Sequence, residues 1–158
     1  MTDEDFCALY EAHARRLWAY VTRAIRDGAA AEDIVQEAFA RVFRAKAMET
    51  EDEEHRRRYL YTVATNLIRR RYRGLVEVPF EERAGHSPTS SPENAMAVTQ
   101  ALSGLTRIER QTLWLAYVEG WSWREVGRLL GYREGSIRQV GVRARRRFRE
   151  LFGESRLR

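Results

Sequence analysis

SWREVGRLLGYREGSIRQVGVRARR, residues 122–146, decides how this chain is read. Ser122 and Glu125 stand three apart ahead of an apolar run. That is capping-box spacing, in which a hydroxyl satisfies an orphan amide and a glutamate does the same in return. Val126, Leu129 and Leu130 follow at helical spacing, and Gly131 suits the position just past a helix end. After a short turn a second helix is expected from about Gly135 to Phe152, with Ile137, Val140, Ala144, Phe148 and Leu151 on its inner face. Gly127 falls where the two helices would cross and only a small side chain allows close approach. The stretch therefore predicts a helix-turn-helix, whose second helix enters the major groove of DNA.

The outer face of that second helix carries Ser136, Arg138, Gln139, Val142, Arg143, Arg145 and Arg146. Arginine can grip guanine in a bidentate way, glutamine can do so for adenine, and valine suits a thymine methyl. The helix start offers amides and dipole to a phosphate. An arginine-rich last helix can equally be a solvated face; the capped support helix, the glycine turn and the small crossing residue favour DNA. Gly141 is out of place, because a glycine inside a helix costs about 1 kcal/mol relative to alanine. The helix is expected either to bend there or to lie against an element that needs the clearance.

Working back along the chain, Thr106-Arg107-Ile108-Glu109 repeats the capping-box spacing and leads into Leu113, Leu115, Ala116 and Tyr117, ending near Gly120. Periodicity is lost over residues 74–94, which hold Pro79, Pro88 and Pro92; this reads as a linker with Val76 and Phe80 as apolar exceptions. Ahead of it, Phe6, Leu9, Tyr10, Leu17, Tyr20, Val21 and Ala24 mark one helical face, stopped by Asp27-Gly28. Ala31–Arg44 repeats the pattern with Ile34, Val35, Ala38, Phe39, Val42 and Phe43. Arg58–Arg73 does so with Leu60, Val63, Ala64, Leu67 and Ile68. No stretch alternates with period two, so no sheet is expected. The predicted fold is all-α: two small helical domains, residues 1–73 and 95–158, joined by a flexible linker over 74–94.

At 158 residues and 44% hydrophobic content, the chain can build real cores. No apolar run reaches the roughly 18 residues of a membrane span, and the start, Met1-Thr2-Asp3-Glu4-Asp5, is acidic where a signal peptide would be basic. A cytoplasmic protein without membrane insertion is expected. Cys7 stands alone and is expected to be a small buried residue. His13, His55 and His86 lack metal-ligand spacing, so neither a disulfide, a metal nor a cofactor is expected. There is also no phosphate-cradling glycine loop and no nucleophile–base pair, which argues against an enzyme and leaves no catalytic residue. The net charge of +5 suits a polyanion, and the arginines cluster at 56–58, 69–73 and 138–149, with Lys46 the only lysine. Arginine bias also follows from a GC-rich genome. An RNA-binding helical protein fits the charge but not the helix-turn-helix preference for duplex DNA.

Ala31-Glu32-Asp33-Ile34-Val35-Gln36-Glu37-Ala38-Phe39-Ala40-Arg41-Val42-Phe43 closely resembles region 2.2 of the extracytoplasmic-function sigma factors, in the sigma-70 family of bacterial RNA polymerase. Tyr59-Leu60-Tyr61-Thr62-Val63-Ala64-Thr65-Asn66-Leu67 resembles regions 2.3 and 2.4, and Leu105–Leu151 resembles region 4. The resemblance implies an alternative sigma factor that binds core RNA polymerase and directs promoter-specific initiation, recognising a minus-thirty-five element and melting a minus-ten element. It implies docking on the β′ clamp helices through Asp33, Gln36, Glu37 and Arg41, with the β flap as a second polymerase contact. Glu32 and Asp33 could simply favour a helix start, but that does not explain Gln36 and Glu37.

For the minus-ten element the resemblance implies Tyr59, Tyr61, Asn66, Arg69, Arg70, Arg71, Tyr72 and Arg73, since a stacked base is worth roughly 1–3 kcal/mol. Tyr61 lies close to the Leu60–Ala64 stripe and is expected to be mostly core. The connection from Ala45 to His55 is implied as the loop that takes up a flipped base, although Glu51-Asp52-Glu53-Glu54 is an odd surface to offer DNA unless Arg56–Arg58 offset it. An anti-sigma factor is a further partner the family brings. Tyr59 in place of the usual tryptophan, Arg70 near an acidic position, Arg133 at a helix cap and Val140-Gly141 depart from the family pattern. The rival reading is a sigma-like DNA-binding repressor that no longer binds core polymerase.

Overall fold

In the computed structural model, which describes residues 1–45, 48–49, 52–73 and 92–157, Thr2 starts the first helix, α1 (Asp3–Ile25). Its hydroxyl accepts from the Asp5 amide at 3.1 Å, and the Asp5 carboxylate accepts from the Thr2 amide at 3.3 Å. That hydrogen bonding, with Thr2 the main cause, holds the Asp5 carboxyl below its ordinary range. α1 ends just ahead of the expected Asp27-Gly28 stop. Arg26 ends it in the left-handed region (φ 55°), its amide donating to Thr22 O at 2.7 Å. A residue with a Cβ pays about 1–2 kcal/mol for that conformation. Asp27 then caps α2 (Gly28–Arg44) by accepting from the Ala30 amide at 3.2 Å, so Gly28 is the first residue of α2.

The third helix, α3 (Glu53–Arg71), begins at Glu53 rather than near Arg58. Asp52 caps it, accepting from the His55 amide at 2.8 Å, and Glu53 and Glu54 lie in its first turn. The acidic run is thus largely a helix start, where negative charge meets orphan amides and the positive end of the dipole; Glu51 lies outside the described residues. α1, α2 and α3 pack as a three-helix unit around Leu17, Val21, Val35, Phe39, Leu60 and Ile68, all buried. Burying such side chains contributes roughly 1.5–3 kcal/mol each. Tyr20 reaches Thr65 Oγ1 through its hydroxyl at 2.8 Å and stands 5.4 Å from the Tyr61 ring, so a buried phenol has its polar partner. Tyr72 Oη donates to Ile25 O at 3.2 Å and ties the ends of α3 and α1 together. Cys7 is exposed, against expectation, and so are Tyr10 and Phe43, although both fall in phase with buried faces.

A second unit contains α4 (Pro92–Ser103), α5 (Arg107–Leu113) running on through a π-helical turn at Trp114–Val118, α6 (Trp123–Leu130) and α7 (Glu134–Leu157). α4 is an addition to the sequence expectation and takes up the last three residues of the span 74–94; residues 74–91, with Val76 and Phe80, lie outside the described residues. Both capping boxes form: Thr106 with Glu109 opens α5, and Ser122 with Glu125 opens α6. Gly131 closes α6 at φ 83°, where a side chain would be strained. Leu105, Leu113 and Ala144 form a core patch joined by Leu102, Phe148 and Leu151. Arg110 is buried and donates to Leu105 O, and Arg147 Nε donates to Gly104 O at 3.0 Å, so these two arginines fasten backbone. Among the described residues there is no strand, and no helix is long and apolar enough to cross a membrane.

Candidate nucleic-acid interface

α6 and α7 cross as a helix-turn-helix pinned at Gly127. A Cβ there would lie 2.7 Å from Tyr132 O and 3.2 Å from Ile137 Cγ2, so only glycine lets the turn close over α6. Val126, Leu129, Leu130 and Ile137 are buried around the crossing. Outward, Ser136, Arg138, Gln139, Val142, Arg143, Arg145 and Arg146 are all exposed, Val142 at 52%. Helical spacing sorts them into a central edge of Gln139, Val142, Arg143 and Arg146, with Ser136 on one flank and Arg138 and Arg145 on the other. The flank residues already have partners. Arg138 Nη2 donates to Glu134 Oε1 at 3.1 Å, and the Arg145 guanidinium lies over the Tyr117 ring, 5.2 Å from its centroid. Arg149, one turn past Arg145 and also exposed, continues this flank and was missed. Its signal was visible as i, i+7, i+11 spacing from Arg138.

Gly141 is explained by contact. α7 runs through it, and a Cβ there would lie 2.6 Å from Trp123 Cζ3 and 3.3 Å from Cζ2. Of the two sequence alternatives, the close neighbour is the one the structure contains.

On α3, Tyr59, Asn66, Arg69 and Arg70 fall on one outward stripe with Thr62 between them, Tyr59 and Thr62 part-buried and the others exposed. Thr62 was not foreseen; its hydroxyl donates to Arg58 O at 2.8 Å. Arg71 lies off the stripe, with Nη2 3.3 Å from Asp27 Oδ2. Arg73 is exposed past the helix end, and Tyr72 is a structural tie. Tyr61 is fully buried, with Arg57 over its ring, and belongs to the core. The arginines expected to offset the acidic run are held inside the unit. Arg57 and Arg58 both donate to Glu54, whose carboxyl falls from 4.5 to about 2, chiefly through the Arg57 hydrogen bond. Arg56 donates to Met48 O at 3.0 Å and Glu49 O at 3.3 Å, bracing what is described of the connection after Ala45.

On α2, Asp33 and Gln36 are exposed, Gln36 3.4 Å from Glu32 Oε1. Glu37 and Arg41 are turned to each other, with Arg41 Nε donating to Glu37 Oε1 at 2.8 Å and Arg44 at 3.5 Å. The Arg41 hydrogen bond keeps the Glu37 carboxyl below its ordinary range. Phe43, two turns beyond Gln36 and on the same stripe, is 46% exposed and packs on Phe6 at 5.0 Å. The expected docking quartet is therefore two outward residues and one internal pair, extended by an aromatic that sequence reasoning assigned to the core.

Residues 9–76 match the family model for sigma-70 region 2, and residues 95–148 match that for sigma-70 region 4. The chain is 32% identical over 140 residues to the ECF RNA polymerase sigma factor SigL of Mycobacterium tuberculosis, covering 83% of this chain and 79% of that protein. It is 31% identical over 156 residues to the RNA polymerase sigma factor CarQ of Myxococcus xanthus, covering 92% and 88%. In fold it is similar to the sigma factor RpoE of Bartonella quintana, solved with the anti-sigma factor NepR. The TM-score is 0.64 at 20% identity, over 95% of this chain and 98% of that one.

Proposed function

The chain belongs to the extracytoplasmic-function sigma factors, alternative sigma factors that direct transcription initiation, and from that premise we propose how its residues divide the work. Sigma factors bind core RNA polymerase and promoter DNA and are DNA-binding regulators. In this chain α2 docks on the polymerase clamp through Asp33, Gln36 and Phe43, while the Glu37–Arg41 pair stiffens the helix behind them. α7 reads the upstream promoter element in the major groove with Gln139, Val142, Arg143 and Arg146. Tyr59, Asn66, Arg69 and Arg70 of α3 hold the opened downstream element, with Arg73 on the adjacent backbone. An anti-sigma factor that covers either surface is the natural inhibitor, and the protein works in the cytoplasm, where polymerase and promoter meet.

The observation that carries this division is the α6–α7 crossing pinned at Gly127, which aims one edge of α7 away from the core. Run-off transcription with purified core polymerase on genomic fragments tests it. Initiation is expected from a small set of fragments; if none gains over core alone, the reading fails. Asp33→Ala with Gln36→Ala is expected to abolish initiation while the chain still binds promoter DNA. Retained initiation in that variant removes the α2 docking assignment.

A further inference from the structure

Trp123 is the first residue of α6, and its indole lies against α7 at Gly141, close enough that no side chain fits between them. Tyr117, from the π-helical turn, meets that indole edge-on, 6.1 Å between centroids at 79°. The Arg145 guanidinium lies over the Tyr117 ring, 5.2 Å from its centroid. Gly141 and Arg145 are one helical turn apart, so the two rings form a bracket that grips a single turn of α7 at both ends. One turn along α6 from Trp123, Gly127 sets the second contact, against Tyr132 O and Ile137. Two fixed contacts one turn apart on α6 restrict both the separation and the crossing angle of the helix pair, because a packed interface admits few alternative arrangements.

We infer that the Tyr117–Trp123 bracket is a positioning device for promoter selection: it sets the angle at which α7 presents its reading edge and commits Arg145 to the DNA backbone instead of a base. This rests on the reading of α7 as the helix that binds the upstream element. Trp123 and Tyr117 act through α7 and touch no base themselves. The indole is a rigid plane with Tyr117 edge-on to it, so a side chain at 141 displaces the ring and disturbs the bracket that sets α7. Arg145 is drawn over Tyr117, to the flank away from Gln139 and Arg143, where a phosphate rather than a base edge is within reach.

The test uses the full chain with core polymerase on a promoter library randomised at the upstream element. Gly141→Ala is expected to reduce discrimination among upstream sequences by about tenfold. Trp123→Ala combined with Gly141→Leu refills the same volume from α7, and is expected to regain tight binding with a shifted base preference. Arg145→Ala, a change on an exposed side chain, is expected to weaken all sequences alike and lower the salt slope by about one. A refilled double variant with the wild-type preference, or an Arg145→Ala variant that changes preference at one base position, overturns the inference. A wild-type holoenzyme with no preference for any upstream sequence fails differently, since it removes the assignment of α7 itself.

Discussion

α3 and α7 are both arginine-rich, and they divide the residue differently between the fold and its partners. Along α3, Arg56 braces backbone, Arg57 and Arg58 share Glu54, and Arg71 faces Asp27. Along α7 no acidic residue occurs between Gly135 and Arg149, and Arg143 and Arg146 stand exposed. The neighbours of an arginine, more than the number of arginines, decide whether its charge reaches a partner. On α3 an acidic residue three or four positions away, Glu54, takes up the guanidinium groups of Arg57 and Arg58.

The hardest way to break the contrast is to remove the platform that holds α7. Gly127→Val places a branched side chain against Tyr132 O, a backbone atom that cannot rotate away. A loss of about 1–3 kcal/mol is expected from overpacking, read as a lower unfolding midpoint, with binding of the upstream element lost in parallel. Unchanged stability would show that the turn closes without the glycine and that the face of α7 is not pinned there.

A smaller effect separates the two arginine sets directly. Arg143→Ala or Arg146→Ala should cost about 1–3 kcal/mol in binding the preferred promoter if the side chain grips a base, with little change in stability. Arg57→Ala should do the reverse. It leaves promoter discrimination alone and lowers stability, because the largely buried Arg57 side chain loses its packing on Tyr61 as well as its pair with Glu54. Titration calorimetry or anisotropy beside chemical denaturation reads both. If Arg57→Ala weakens promoter binding as much as Arg143→Ala, the contrast between the helices is wrong.

What could be read from the sequence follows the same division between local and distant neighbours. The boxes at Ser122/Glu125 and Thr106/Glu109, the Gly131 end and the clearance at Gly127 depend on residues a few positions apart, and all are in the structure. α4 escaped notice because Pro92 reads as loop punctuation, although proline also suits a first helical turn. Phe43 and Tyr10 keep the helical period of the core yet lie outside it, since periodicity fixes a face and not the depth to which a neighbour covers it. The Arg71–Asp27 and Trp123–Gly141 contacts join distant positions, and no spacing rule reaches them. For the interface, the outward edge of α7 was legible, whereas the pairings of Arg138 and Arg145 on its flank were only partly so: Glu134 lies one turn away, but Tyr117 comes from another helix.

The smallest effect concerns Glu54, which decides how α3 uses two of its arginines. Its carboxyl lies at about 2 in the folded chain against an ordinary 4.5, chiefly because Arg57 hydrogen-bonds the ionised form. A folded value below the unfolded one means that the ionised group stabilises the fold. That contribution is complete above about 4.5 and is lost as pH falls from there toward 2. Because Glu54 is largely exposed, solvent screening reduces it to well under about 1 kcal/mol. Glu54→Gln should therefore be slightly less stable than the parent at neutral pH, with the gap closing between pH 4.5 and 2 in paired urea titrations. The same variant releases Arg57 and Arg58 from their carboxylate. If Glu54 is what keeps α3 from behaving like α7, nonspecific DNA binding should strengthen and its dependence on salt should steepen. An unchanged salt slope would mean that packing on Tyr61, where Arg57 lies over the ring 5.8 Å from its centroid, holds Arg57 in place without Glu54.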